Sequence, residues 1–237
     1  MIKAAIEKIL ELGKVEELSF SGRDYTDKEI FRVEDPVPRI LEVHTLTGLV
    51  DYVEAAVDPE VESLIFHVRE YRDVGLLSGL TGKFLQRPEY INAHATNHAT
   101  SFFGYWHDPE AFIIGLQSLF VQEDDVKTIL KLVGNLKDES VRTVTDDGTT
   151  QSVAAMVGIA RVADVEVPNP VTLSPYRTFL EIEQPASQFV FRLRTGREGQ
   201  LPTCALFEAD GARWQLQAIG RIRDWLKGKL PDIPVIA

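Results

Sequence analysis

The sequence predicts an α+β fold, a mainly antiparallel sheet covered by a helical hairpin and a C-terminal helix. Three observations lead there. From Ser187 to Arg194, Phe189, Phe191 and Leu193 alternate with Val190 and Arg192, the period-2 pattern of a strand with one face in a core. Between Asp108 and Leu136, apolar residues recur at helical spacing in two runs, Phe112 to Phe120 and Val126 to Leu136. Near the C-terminus Trp214, Ile219, Ile222, Trp225 and Leu226 share one helical stripe, which predicts a helix at least from Ala218 to Lys229.

The remaining elements follow in chain order. Ile2, Ile6, Ile9 and Leu10 lie on one face of a short amphipathic helix that Gly13 stops. Between Ser19 and Pro38 the pattern breaks up, and Asp35-Pro36 and Val37-Pro38 mark an extended connector. Arg39 to His44 reads as a strand, after which Thr45 or Thr47 caps a helix that buries Leu49, Val50, Val53 and Ala56. Leu64 to Val68 and Val74 to Leu76 are two strands turning near Tyr71 to Asp73, and Tyr90 to Thr96 is a further strand. Asp108-Pro109-Glu110 is a helix start, with a capping side chain, proline in the first turn and an acid at the positive end of the dipole. A second helix starts near Glu123 and frays at Gly134-Asn135, completing the hairpin.

Beyond Ser140 the chain turns β-rich. VRTVT, a turn at Asp146-Asp147-Gly148 and the returning run TTQSVAAMVGIARV predict a strand pair. Leu180 and Ile182, alternating with Glu181 and Glu183, predict a strand joined through Gln184 to Ser187 to the one at Phe189. These strands, from Ser140 to Glu208, form the expected main sheet, with the hairpin and the terminal helix over it. The tail Pro231 to Ala237 reads as an extended arm able to reach a neighbour. No repeat or linker divides the chain, so residues 1–237 are expected to form one α+β domain.

Composition narrows the function. With 237 residues, 44% of them hydrophobic, a substantial core is affordable, and no apolar run approaches a membrane span, which predicts a soluble, cytoplasmic protein. Cys204 lies in the apolar run TCALF and reads as a small core residue. A net charge of −11 excludes a general nucleic-acid coat, yet the segment from Tyr176 to Leu230 carries nine Arg or Lys against six acids. An acidic chain with a cationic segment offers unlike patches on one molecule, suited to contacts between successive copies. Arg192, Arg194, Arg221 and Arg223 are the expected contacts to an acidic neighbour. If a nucleotide or nucleic acid is the partner instead, the same arginines and the aromatic stripe Phe102 to Trp106, above all Tyr105 and Trp106, would line its site.

No constellation announces catalysis. His94 and His98 stand four apart, but Ala95 occupies the place where a zinc peptidase helix carries its glutamate. They are weak metal candidates, the basis of a third reading as a metal-dependent hydrolase. Gly75, Gly79 and Gly82 miss the spacing of a phosphate loop, Glu54 to Glu62 reads as a solvated face, and no serine has a nucleophile-elbow context. No cofactor is called for.

The motifs FIIGLQSLF (112–120), LVGNLKDESVRT (132–143), DDGTTQSV (146–153), VPNPVTLSPYRTFLEIEQPASQFVFRLR (167–194) and ALFEADGARWQL (205–216) together resemble the YfdQ-like family of phage and prophage proteins. That resemblance covers Phe102 to Leu226. It implies a phage-encoded intracellular protein and brings no catalytic residues with it. The expected function is therefore a non-enzymatic, self-assembling homo-oligomer acting through its surface.

Overall fold

The computed structural model describes residues 2–20, 23–26, 39–58, 63–82, 85–96, 99–138, 141–146, 151–157, 160–167, 169–194 and 202–237. Its class is the expected one, α+β with mostly antiparallel strands, a helical hairpin and a C-terminal helix. The chain divides into two compact units, Met1–Val37 with Gly82–Phe84, and Pro38–Thr81 with Leu85–Ala237.

In the first unit, helix α1 (Ile2–Gly13) is followed by strands β1 (Glu17–Phe20) and β2 (Arg23–Thr26), paired antiparallel from Glu17 opposite Thr26 to Phe20 opposite Arg23. The amphipathic helix is where the periodicity puts it. The hairpin falls in a stretch whose pattern signals no strand. The prolines of the predicted connector lie outside the described residues.

The second unit opens with β3 (Leu41–Val43) and α2 (Leu46–Glu54). Thr45 caps α2, its Oγ1 accepting from the Gly48 N–H at 3.1 Å. Strands β4 (Leu64–Glu70), β5 (Asp73–Ser78) and β6 (Glu89–His94) form an antiparallel meander. Helices α3 (Pro109–Leu119) and α4 (Asp124–Asp138) make the hairpin, and α4 continues through Gly134 instead of fraying there. Asp108 caps α3 through Oδ1, which accepts from the Ala111 N–H at 2.9 Å. Next come β7 (Val141–Asp146), β8 (Gln151–Val157) and β9 (Ala160–Val167), then β10 (Val171–Leu173), β11 (Ser187–Arg194), β12 (Thr203–Glu208), α5 (Arg213–Lys229) and β13 (Val235–Ile236). The run read as one return strand is two, β8 and β9, and the Asp147-Gly148 turn lies outside the described residues.

The strands expected to form one sheet form two of three strands each, β7-β8-β9 and β10-β11-β12. A third sheet of five strands, in the order β13-β4-β5-β6-β3, is built largely from the N-terminal half. The core divides accordingly. Phe112 and Leu116 of α3 and Val126, Ile129 and Val133 of α4 are buried against Val171, Phe189, Phe191, Cys204 and Leu206 of the β10-β11-β12 sheet. Leu46 and Leu49 of α2 and Ile222 and Leu226 of α5 are buried with Phe66, Val74, Leu76 and Ile91 of the five-stranded sheet. The terminal helix thus covers the five-stranded sheet and not the strands that precede it.

Two further expectations are corrected. Thr178 to Glu183 is a turn and not a strand, because the buried Gln184 side chain substitutes for strand pairing. Its Oε1 accepts from the Arg177 N–H at 3.0 Å and its Nε2 donates to the carbonyls of Phe179 and Ile182 at 2.9 and 3.2 Å. The other is the tail, expected as a free arm, which adds a strand to its own chain. Val235 and Ile236 pair parallel with Phe66 and His67 of the same chain, and the Phe66 N–H donates to the Pro234 carbonyl at 2.9 Å.

Arg177 packs between the aromatic edge of the first cluster and Trp214 of α5. Fully buried, it lies with its guanidinium 3.7 Å from the Trp214 ring centroid and within 6 Å of those of Phe103 and Phe189, donating to Glu208 Oε1 at 2.5 Å and Ser187 Oγ at 2.6 Å. Burial pulls its pKa down to about 10, against the pull of Glu208, so it stays charged at neutral pH.

Candidate functional site

The β10-β11-β12 sheet keeps Phe189, Phe191 and Leu193 against the helices, so alternation sends Gln188, Val190, Arg192 and Arg194 to its other face. Register then decides what stands beside the arginines. On β12, Phe207 is opposite Val190, Ala205 opposite Arg192 and Thr203 opposite Arg194. Along the free side of β12 runs residues 104–107. Gly104 donates to the Leu206 carbonyl, and His107 and Cys204 exchange both N–H to carbonyl bonds, each bond at 2.9 Å. A left-handed Gly104 (φ +78°) turns the chain onto the strand, a conformation that a Cβ would strain.

This segment is anchored from below. The Phe102 ring stacks on His107 at 4.5 Å and packs against Phe103, Phe112 and Phe120, while a ring nitrogen of His107 bonds the Phe102 carbonyl at 2.9 Å. Trp106 therefore has a fixed place. Its ring meets Phe207 edge-on at 6.1 Å, and the Arg194 guanidinium lies 4.2 Å from its centroid. Tyr105, 64% exposed, extends the aromatic edge, and Arg192 sits half-buried two residues before Arg194. Along the chain the aromatic stripe has no nearby cation, since His107 is the single basic group around it. The fold supplies one from β11. A planar guanidinium stacked on an indole, with a second arginine on the same face, is chemically suited to an anion carrying a flat ring, or to a carboxylate-rich partner.

The other predicted residues are elsewhere. Arg221 and Arg223 are on α5, where Arg221 donates to the Glu183 carbonyl at 2.8 Å and Arg223 pairs with Asp224 at 2.9 Å. The four arginines do not form one patch. His94 ends β6, its carbonyl bonded by His44 Nδ1 at 3.1 Å, and His98 lies outside the described residues. Among the described residues, no group of three or more His, Cys, Asp or Glu side chains is placed to hold a metal ion. Cys204 is fully buried, and burial pushes its thiol up to about 12, so it is unfit as a nucleophile.

Sequence reasoning singled out neither Arg177 nor a half-buried ion cluster on β4 to β6. There Arg69 donates to Asp73 and Glu89 in four contacts of 2.9 to 3.1 Å, and its hydrogen bonds to Glu89 foremost raise its pKa. Gly75 makes room for it, because a Cβ there would fall 2.4 Å from Glu89 Oε1. With every carboxylate matched to one guanidinium, the cluster ties three strands together and leaves no free acid or base.

Surface, then, is where these candidate residues stand: an arginine and aromatic face on an α+β scaffold. Set against family models, curated proteins and solved structures, the chain finds no match in any of the three. Among the described residues no helix is long and apolar enough to cross a membrane.

Proposed function

We propose that this chain is a self-associating, non-enzymatic protein of phage or prophage origin that acts through its surface. One observation carries the reading. Helix α1 has no buried residue, and Ile2, Ile6, Ile9, Leu10 and Leu12 are between 51 and 79% exposed. An apolar stripe that its own unit leaves uncovered needs a further surface, since a 12-residue helix is marginal without one, and a second copy is the surface this reading supplies. Light scattering at several salt concentrations tests the reading. A mass above that of one chain is expected, and a strict monomer throughout would reject it.

A second reading, favoured by the Arg194 and Trp106 stack, is a binder of a nucleotide or nucleic acid. Mass spectrometry of the purified protein discriminates it, since such a binder carries nucleotide through purification and an empty protein argues against it.

A further inference from the structure

We infer that the outer face of the β10-β11-β12 sheet at Arg194 and Trp106 holds an unpaired nucleotide unit, its phosphate on the Arg194 guanidinium and its base against the arginine and indole stack. This rests on the second reading above and adds to it the site, the role of each group and the strand state of the ligand.

The face is built wholly within the second unit. To the four residues that β11 sends there, β12 adds Thr203, Ala205 and Phe207, since Cys204 and Leu206 lie in the core. Arginine appears twice on these strands' outer side and an acid never, in a chain with 36 acids against 25 lysines and arginines. The acid nearest to Trp106 along the chain, Asp108, is engaged as the cap of α3. An anion therefore meets no carboxylate on the outer side of β11 and β12.

Arg194 is held by its plane and not by its nitrogens. Its guanidinium lies 4.2 Å from the Trp106 ring centroid, and among the described residues it makes no hydrogen bond or ion pair. By contrast, Arg69, Arg177, Arg221 and Arg223 each pair with a carboxylate of the chain. A guanidinium positioned by stacking keeps its N–H edge for a phosphate or a carboxylate.

The indole selects between those two anions. Bases stack on aromatic rings and on arginine planes, whereas an acidic peptide segment brings a carboxylate and no flat ring to continue the stack. Net charge selects the strand state. Duplex binding draws on many neutralised phosphates, which a chain of −11 is poorly suited to supply, while an unpaired base offers the flat face that this site can hold.

The test is fluorescence anisotropy with labelled oligothymidylate at about 50 mM and about 200 mM salt. Wild type is expected to bind this strand, and to bind its duplex with oligoadenylate about tenfold more weakly or worse. Arg194→Gln and Arg194→Lys should each weaken strand binding about tenfold, because lysine restores the charge and not the plane. Arg194→Gln should also make the slope of log K against log salt shallower by about 0.7, the share of one phosphate of a single strand. Arg223→Gln removes the same charge from α5 and should change neither quantity. Arg194 is exposed, so its variants should melt with wild type. Displacement by thymidine monophosphate at matched concentration assigns the site to a free nucleotide, and displacement by oligothymidylate alone assigns it to a strand; both support the inference. If either Arg194 variant binds as wild type does, the assigned site falls while the nucleotide reading stands. If wild type binds none of the probes, both fall. Equal binding of duplex and single strand, or displacement by oligoglutamate as effective as that by unlabelled oligothymidylate, would overturn the inference.

Discussion

Gly115 of α3 faces Phe102 so closely that a methyl group has no room, and Gly115→Ala measures how tightly the aromatic anchor is packed. A Cβ at Gly115 would stand 2.1 Å from Phe102 Cε2, 2.7 Å from Cζ and 2.8 Å from Cδ2, where carbon atoms settle at roughly 3.5 to 4.0 Å. The ring would have to retreat by more than 1 Å. It has nowhere to go, since His107 stacks on it and Phe103, Phe112 and Phe120 pack around it. Alanine gains about 1 kcal/mol of helix propensity over glycine, whereas overpacking a filled core costs about 1 to 3 kcal/mol. With the ring confined by four neighbours the cost lies near 3, so a net loss of about 2 kcal/mol is expected. In urea, with an m-value of about 2 kcal/mol/M, the midpoint falls by about 1 M at unchanged m. Phe102→Leu added to Gly115→Ala should lose less than the two single changes summed, because the clash is their shared term. An unchanged or raised midpoint for Gly115→Ala would refute the packing argument, and with it the fixed placement of Trp106.

Other outcomes follow from the same geometry. Arg177→Met should cost about 2 kcal/mol, and Glu208→Ala more, about 3 to 4, because the first leaves a carboxylate that reaches water and the second a buried cation without its carboxylate; urea unfolding giving the reverse order would contradict this. The Cys204 thiol is raised by burial from an ordinary 9.0 to about 12, so the unfolded chain loses this proton first. The stability this contributes is whole below pH 9 and declines as pH rises toward 12. Cys204→Ala should therefore show a shallower alkaline loss of stability than wild type, and iodoacetamide should label Cys204 only on unfolding. Removal of Ile233 to Ala237 should lower the melting temperature, since it strips β13 from β4, and should leave the oligomeric state unchanged; loss of the oligomer would restore the tail as an intersubunit arm.

Local chemistry made much of the fold legible. Thr45 and Asp108 cap their helices through their own side chains, and the alternation at Phe189, Phe191 and Leu193 is that of a half-buried strand. What stayed hidden depends on partners distant in sequence. Leu180 and Ile182 alternate like strand residues, but a single glutamine holds the segment in a turn, leaving Leu180 exposed and Ile182 buried. The terminal helix shows its apolar stripe in the sequence, but not which of two sheets the stripe will cover. For the candidate surface, the arginines and the aromatics were each visible as text. Their meeting was not, because Arg194 reaches Trp106 only through the β11 to β12 register and the bridge from His107 to Cys204. Arg221 and Arg223, which charge counting groups with Arg192 and Arg194, stand on a different element, α5.

Self-association is the property that decides between these readings. Sedimentation equilibrium of the wild-type chain, followed over serial dilution in high salt, measures this without any substitution. Multiples of 26.6 kDa that dissociate on dilution and not on addition of salt are predicted. A single species of 26.6 kDa at every concentration would contradict the account.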